Sequence, residues 1–226
     1  MNGSPPLPRP PVLPGALADL APAALEPESV LEQVALGDCD LSAAVAPGVA
    51  VREARLHGTR LAGAELEGLE LTDVALDGCD LANLRAAPHA GWIRVQAHNC
   101  RMTGLTFSDS VLRDVSLHGC RIDLASFGGA RLQRVSFEDC DLSQTDFLEA
   151  ELDGVRFTGC EMVATDLRGA RLHRCELRGN RLQELRGVDR LRGTAMPWVD
   201  IVGAAGLWAQ ALGISVLDEG EDPSAG

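Results

Sequence analysis

The sequence predicts an all-β solenoid: a quadrilateral stack of nearly eight coils, closed at its C-terminal end by one helix. Two regularities carry the stack. The first is a five-residue beat, as in CRIDL-ASFGG-ARLQR-VSFED-CDLSQ-TDFLE, where each block has a small residue first, a polar one second and a large apolar one third. The second is a longer period. Cysteine recurs at Cys100, Cys120, Cys140 and Cys160, valine at Val95, Val115, Val135 and Val155, and phenylalanine at Phe107, Phe127 and Phe147. The helix follows from the tail, where the beat stops and an apolar stretch with Asp200 as its one charge begins after Pro197.

Three residues that alternate in, out and in make a short strand. The two that follow are rich in Gly, Asp, Arg, Ser and Gln, which suits a corner. A helix is excluded, because a strict period of five wanders around a helix and leaves no constant apolar face. Columns that repeat every 20 residues mean that four blocks close one coil. Like residues then stack at the strand spacing of about 4.8 Å, for a rod on the order of 37 Å long.

Taken in order, residues 1–28 hold many of the prolines and read as a disordered or loosely docked lead-in without the pattern of a signal peptide. Residues 29–187 carry the repeats. The beat slips by one residue at 87–92, between Pro88 and Gly91, and the expectation is a bulged corner with Trp92 turned inward; a ligand notch at His89 and Trp92 is the other reading. Residues 188–217 form the cap, a helix from Pro197 to Gly213 followed by a short strand through Ile214, Val216 and Leu217. Residues 218–226 are an acidic tail. One helix covers an open coil with one of its faces, and apolar residues all round need a second partner. A two-fold dimer through Trp198, Ile201, Ala205, Trp208 and Leu212 supplies it.

Little in the chain points to chemistry. All seven cysteines, Cys39, Cys79, Cys100, Cys120, Cys140, Cys160 and Cys175, fall at the small inward position of a block. They lack the close pairs of a zinc site, parallel side chains make poor disulfide geometry, and an odd number of free thiols favours the cytoplasm. The five histidines form no triad or metal spacing. Acid–base catalysis needs a cleft that shifts pKa values, which a smooth rod does not offer. No enzyme activity, cofactor, metal or membrane span is expected.

Charge remains. The net charge is −13, with 20 arginines and no lysine, which argues against direct nucleic-acid binding. Residues 138–153 hold seven acids and no arginine, whereas residues 168–192 hold eight arginines and three acids. One reading is a solvated face whose charges discourage edge aggregation; the other is an acidic field aimed at a basic partner.

The blocks resemble the pentapeptide-repeat consensus, roughly A-[DN]-[LF]-x-x, over about residues 29–187. That resemblance implies a right-handed quadrilateral β-helix of pentapeptide repeats. The layout of tight coils, one slip and an apolar C-terminal helix is similar to the MfpA/Qnr quinolone-resistance type, acidic dimeric rods that mimic DNA and bind type II topoisomerase. By this resemblance the partner is DNA gyrase, the chain is a homodimer, and Asp141, Asp146, Glu149, Glu151 and Asp153 form the acidic binding face. The alternative is a structural or interaction scaffold with another protein partner.

Overall fold

A computed structural model describes residues 4–20 and 24–215. It is a β-solenoid of about eight turns with a short helical cap. The strands in chain order are β1 (Ala18–Asp19), β2 (Val30–Glu32), β3 (Val34–Gly37), β4 (Ala50–His57), β5 (Glu70–Asp77) and β6 (Gly91–His98). There follow β7 (Val111–His118), β8 (Arg131–Glu138), β9 (Glu151–Asp153), β10 (Arg156–Thr158), β11 (Arg171–His173) and β12 (Glu176–Arg178). Among the described residues every strand pairing is parallel, and β7 lies over β8 with Leu112 opposite Leu132 and Leu117 opposite Phe137.

The four faces are not equal. The first and second faces run together as eight-residue strands such as β4. The third and fourth touch their neighbours through single bridges, such as Arg121 to Asp141 and Ser126 to Asp146. The uniform three-residue strand expected from the beat is therefore found only in part. Each corner turns on the last residue of its block, which lies in the left-handed region: Asp73 at φ 57, Asn99 at φ 52, Asp109 at φ 53, even Leu124 at φ 59. That conformation explains why Gly, Asp and Asn crowd the position. At Gly187 no side chain fits at all, since a Cβ there would lie 2.6 Å from the backbone of Leu167 and Arg168.

The third residue of each block fills the rod. Phe107, Phe137, Phe147 and Phe157 are fully buried, and Phe137 stacks on Phe157 at 5.1 Å between ring centroids with 2° between planes. The first residue of a block is also inward and often donates to the carbonyl 23 positions earlier. Thr145 Oγ1 reaches Ile122 O at 2.9 Å, Thr165 Oγ1 reaches Leu142 O at 2.8 Å, and Cys140 Sγ reaches Leu117 O at 3.4 Å. Small donors are therefore interchangeable with Ala and Val there. Asn180 ends the cysteine column with a stronger pair of bonds: its Nδ2 donates to Phe157 O, and its Oδ1 accepts from Cys160 N.

Register places the slip. Thr72 pairs with Ile93 and Arg85 bridges Thr106, one residue more than the period found elsewhere. The extra residue lies in the corner after Ala86, where the Ala87–Pro88 bond is cis and His89 is left-handed. Trp92 points inward, 1% exposed, with its edge against Phe107 at 5.2 Å. His89 is exposed, so the two do not face a common notch.

Both ends are covered. After a 3-10 turn at Val188–Leu191, Ala195 adds a last rung, donating to Cys175 O and accepting from Leu177 N. The single helix expected from Pro197 to Gly213 is instead two short ones, α1 (Trp198–Gly203) and α2 (Ala205–Ala211), parted at Ala204. Asp200 spends its charge on the sheet edge: its Oδ2 accepts from Gly179 N at 2.6 Å. Ile214 is in no strand, and Val216, Leu217 and the acidic tail lie outside the described residues. At the other end β1 pairs with β3.

Candidate partner-binding surfaces

Three surfaces remain once the core is assigned: the charge ladders, the outer side of the cap, and the corner seam between the first and second faces.

The ladders follow from the period. Most charges on an outer face meet their partner in the next coil, 20 or 21 positions away in the sequence. On the third face Asp40, Arg60, Asp80, Arg101, Arg121, Asp141, Glu161 and Arg181 stack in that order. Arg60 bonds Asp40 at 2.9 Å, and Arg101 bonds Asp80 at 2.6 Å. Arg60 holds the Asp40 carboxyl down at about 2, helped by Ser42.

The five acids expected to form one face do not share one. Asp141 stands on the third face, Asp146 on the fourth, Glu149 at the next corner, and Glu151 and Asp153 on the first. Neighbours in sequence circle the rod, and only residues a full coil apart share a side. Nor are all five uncompensated. Glu151 lies between Arg131 at 3.4 Å and Arg171 at 2.7 Å, and Asp153 is held by Arg174 at 2.8 Å. Asp141 and Asp146 instead accept backbone N–H groups of their own turns, from Ser143 and Leu148, and stand in no ion pair among the described residues. The Arg-rich segment is likewise answered by acids: Arg168 by Asp166, Arg178 by Glu176, Arg181 by Glu161.

The cap is apolar on both sides. Its inner side packs Leu207 and Trp208 against the core, and Trp208 Nε1 donates to Ile201 O at 2.8 Å. Trp198 is 76% exposed and Leu212 75%, with Val199, Val202 and Ile214 also exposed. Of the residues named for a dimer, Trp198, Ala205 and Leu212 face outward while Ile201 and Trp208 are half-buried.

The seam escaped a reading along the chain. Asp73, Arg94, Asp114 and Arg134 occupy successive positions of one corner column. Arg94 Nε reaches Asp73 at 2.6 Å, and Arg134 Nε reaches Asp114 at 2.6 Å. Asp114 is fully buried because residues 4–20 lie across it: Arg9 donates its backbone N–H and the Nε and Nη2 of its guanidinium to the same carboxylate, and Val12 N–H donates to Asp73. Arg134, then Arg9, hold the Asp114 carboxyl well below the usual range; Arg94 lowers Asp73. Reading down the column at the coil period is the signal that would have found these four.

Among the described residues no group of three or more His, Cys, Asp or Glu could hold a metal ion, and all seven cysteines are free. His98 and His118 lie one coil apart with ring centroids at 5.8 Å and planes tilted by 44°, and His57 faces Asp77. Among the described residues no helix is long and apolar enough to cross a membrane.

Coil period, left-handed corners and filled interior define the class: a four-sided solenoid of five-residue repeats. Two stretches of the chain match the pentapeptide-repeat family. A family model described as "Pentapeptide repeat region" matches residues 125–186, and one described as "Pentapeptide repeats (8 copies)" matches residues 52–83. Among solved structures, full-length QnrB1, a plasmid-mediated fluoroquinolone resistance protein, is 19% identical over 88% of this chain and 98% of that one, with TM-score 0.31. HetL, a pentapeptide-repeat protein involved in heterocyst differentiation regulation from the cyanobacterium Nostoc sp. Strain PCC 7120, is 20% identical over 75% of this chain and 90% of its own, with TM-score 0.26. The pectin methylesterase from Aspergillus niger is 8% identical over 84% and 83%, with TM-score 0.38. No curated protein matches.

Proposed function

We propose that this chain is a non-catalytic binding rod, joined as a homodimer through its cap, that offers carboxylates to a basic surface of a protein partner in the cytoplasm. One observation carries the reading. Among the described residues Glu138, Asp141, Asp146 and Glu149 stand in no ion pair, while Glu151, Asp153, Glu161 and Asp166 are each answered by an arginine. Carboxylates left without partners on a chain of net charge −13 attract a cationic surface and speed encounter with it. DNA gyrase is the partner that the sequence resemblance to the MfpA/Qnr type supports, since a surface built for DNA is basic.

A second reading, a scaffold whose partner touches a local patch, draws on the third-face ladder. Its mixture of acids and arginines breaks the acidic field on that face into patches. Binding of purified gyrase to the immobilised rod across a salt series separates the two. A DNA mimic binds and weakens steeply with salt; a scaffold for another protein does not bind gyrase at any salt.

A further inference from the structure

Nothing in the repeat pattern gives residues 1–28 a role, yet the described part of them is held by specific bonds. Residues 4–20 run against the direction of coil addition. Pro5 O accepts from Arg156, Pro6 lies over Gly154, Arg9 sits on Asp114, Val12 on Asp73, and Ala18 N–H donates to Gln33 O. The partners are spaced by a rule. Pro6, Arg9 and Val12 are three residues apart, and Gly154, Asp114 and Asp73 are two coils apart. Three residues of polyproline II advance about 9.3 Å. Two coils advance about 9.6 Å. One turn of a polyproline II helix thus matches two coils, and the corner column presents the same kind of position at each turn.

The sequence suits that match. In SPPLPRPPVLP the prolines hold the extended conformation and remove N–H groups that would otherwise need partners. Arg9 and Val12 keep theirs, and each meets a carboxylate, at 3.2 Å and 2.9 Å. At Gly154 the column lacks a side chain, and a Cβ there would come within 3.5 Å of Pro6. The segment is also able to leave. Leu7 and Val12 are 65% and 68% exposed, so little apolar area holds it. Asp114 and Asp73 keep Arg134 and Arg94 when it goes, so no buried carboxylate is stranded.

We infer that this seam is a peptide-docking groove that reads an extended, proline-rich segment bearing one arginine, and that residues 4–14 fill it in cis until a partner's segment of the same chemistry displaces them. Recognition is by period: a guanidinium on Asp114, and an N–H three residues later on Asp73. This assignment does not depend on gyrase or on the dimer.

The test uses full-length protein and a fluorescent peptide of residues 4–14. Wild type, with its groove filled, should show little rise in anisotropy. Full-length Arg9→Ala, which loosens its own strap and keeps Arg134 on Asp114, should bind the peptide at least about tenfold more tightly, which corresponds to about 1.4 kcal/mol. The same chain should reject a peptide with one residue inserted between Arg9 and Val12. Circular dichroism confirms that the variant keeps its fold. If Arg9→Ala binds neither peptide, binds both equally, or binds no better than wild type, the seam is not a reader of such segments and the strap is a fixed part of the fold.

Discussion

Phe127 and Phe147 stack face to face one coil apart, with 5.2 Å between ring centroids and 9° between their planes. Identical side chains in register are what a strict coil period produces, and they set the energetics of the rod. Phe127→Ala should cost about 3–5 kcal/mol, as large-to-small changes in a packed core do. Arg131 is exposed and paired with Glu151 in water, so Arg131→Ala should cost under about 1 kcal/mol. Chemical denaturation of the two variants checks the assignment of inside and outside; equal losses would contradict it.

The thiols should be inert in the folded chain. All seven are buried, and burial pushes the Cys175 thiol up to about 11. A thiol reagent should therefore modify them only on the timescale of unfolding. Two or more fast-reacting cysteines in the native protein would overturn the inward placement.

Much of this was legible in advance for a physical reason. Each residue's environment recurs every coil, so the period and the inward column are written many times over, and the slip stands out as a break against them. What the chain hid is whatever happens once. The break at Ala204 has no repeat to announce it. The contact of Arg9 with Asp114 joins positions 105 apart and leaves no local pattern. The acidic run misled in a different way: reading along the sequence groups Asp141 with Glu151, whereas the surface groups Asp141 with Arg121 and Glu161. Arginines that neutralise Glu151 and Asp153 lie a coil away, outside any local charge count.

The cap should hold two chains together. Its outer side leaves Trp198, Val199, Val202 and Leu212 in solvent, an apolar group that two-fold pairing would cover. Trp198→Glu touches little of the core and should give a monomer by light scattering with its thermal stability nearly unchanged. Trp208→Glu, half-buried against the last coil, should instead loosen the cap itself. A wild-type chain that is monomeric at micromolar concentration would end the dimer.

Acid should reach the seam late. The pKa of Asp114 is lowered in the folded state by Arg134 and Arg9, so its contribution is complete above the unfolded carboxylate value and is lost as pH falls through the lower folded value. Asp73, paired with Arg94, behaves alike. Thermal stability should therefore hold from neutrality to about pH 4 and decline below it. Asp114→Asn should flatten that decline. A loss already under way near pH 6 would show that other groups control it.

The central claim, that unanswered carboxylates on this rod engage a DNA-handling partner, is tested most directly by DNA supercoiling with purified gyrase and increasing amounts of the full-length chain. Inhibition should appear, fade with added salt and disappear when Asp141, Asp146 and Glu149 are all changed to Arg, with circular dichroism unaltered. Supercoiling that proceeds unchanged at every concentration of the wild-type rod would contradict it.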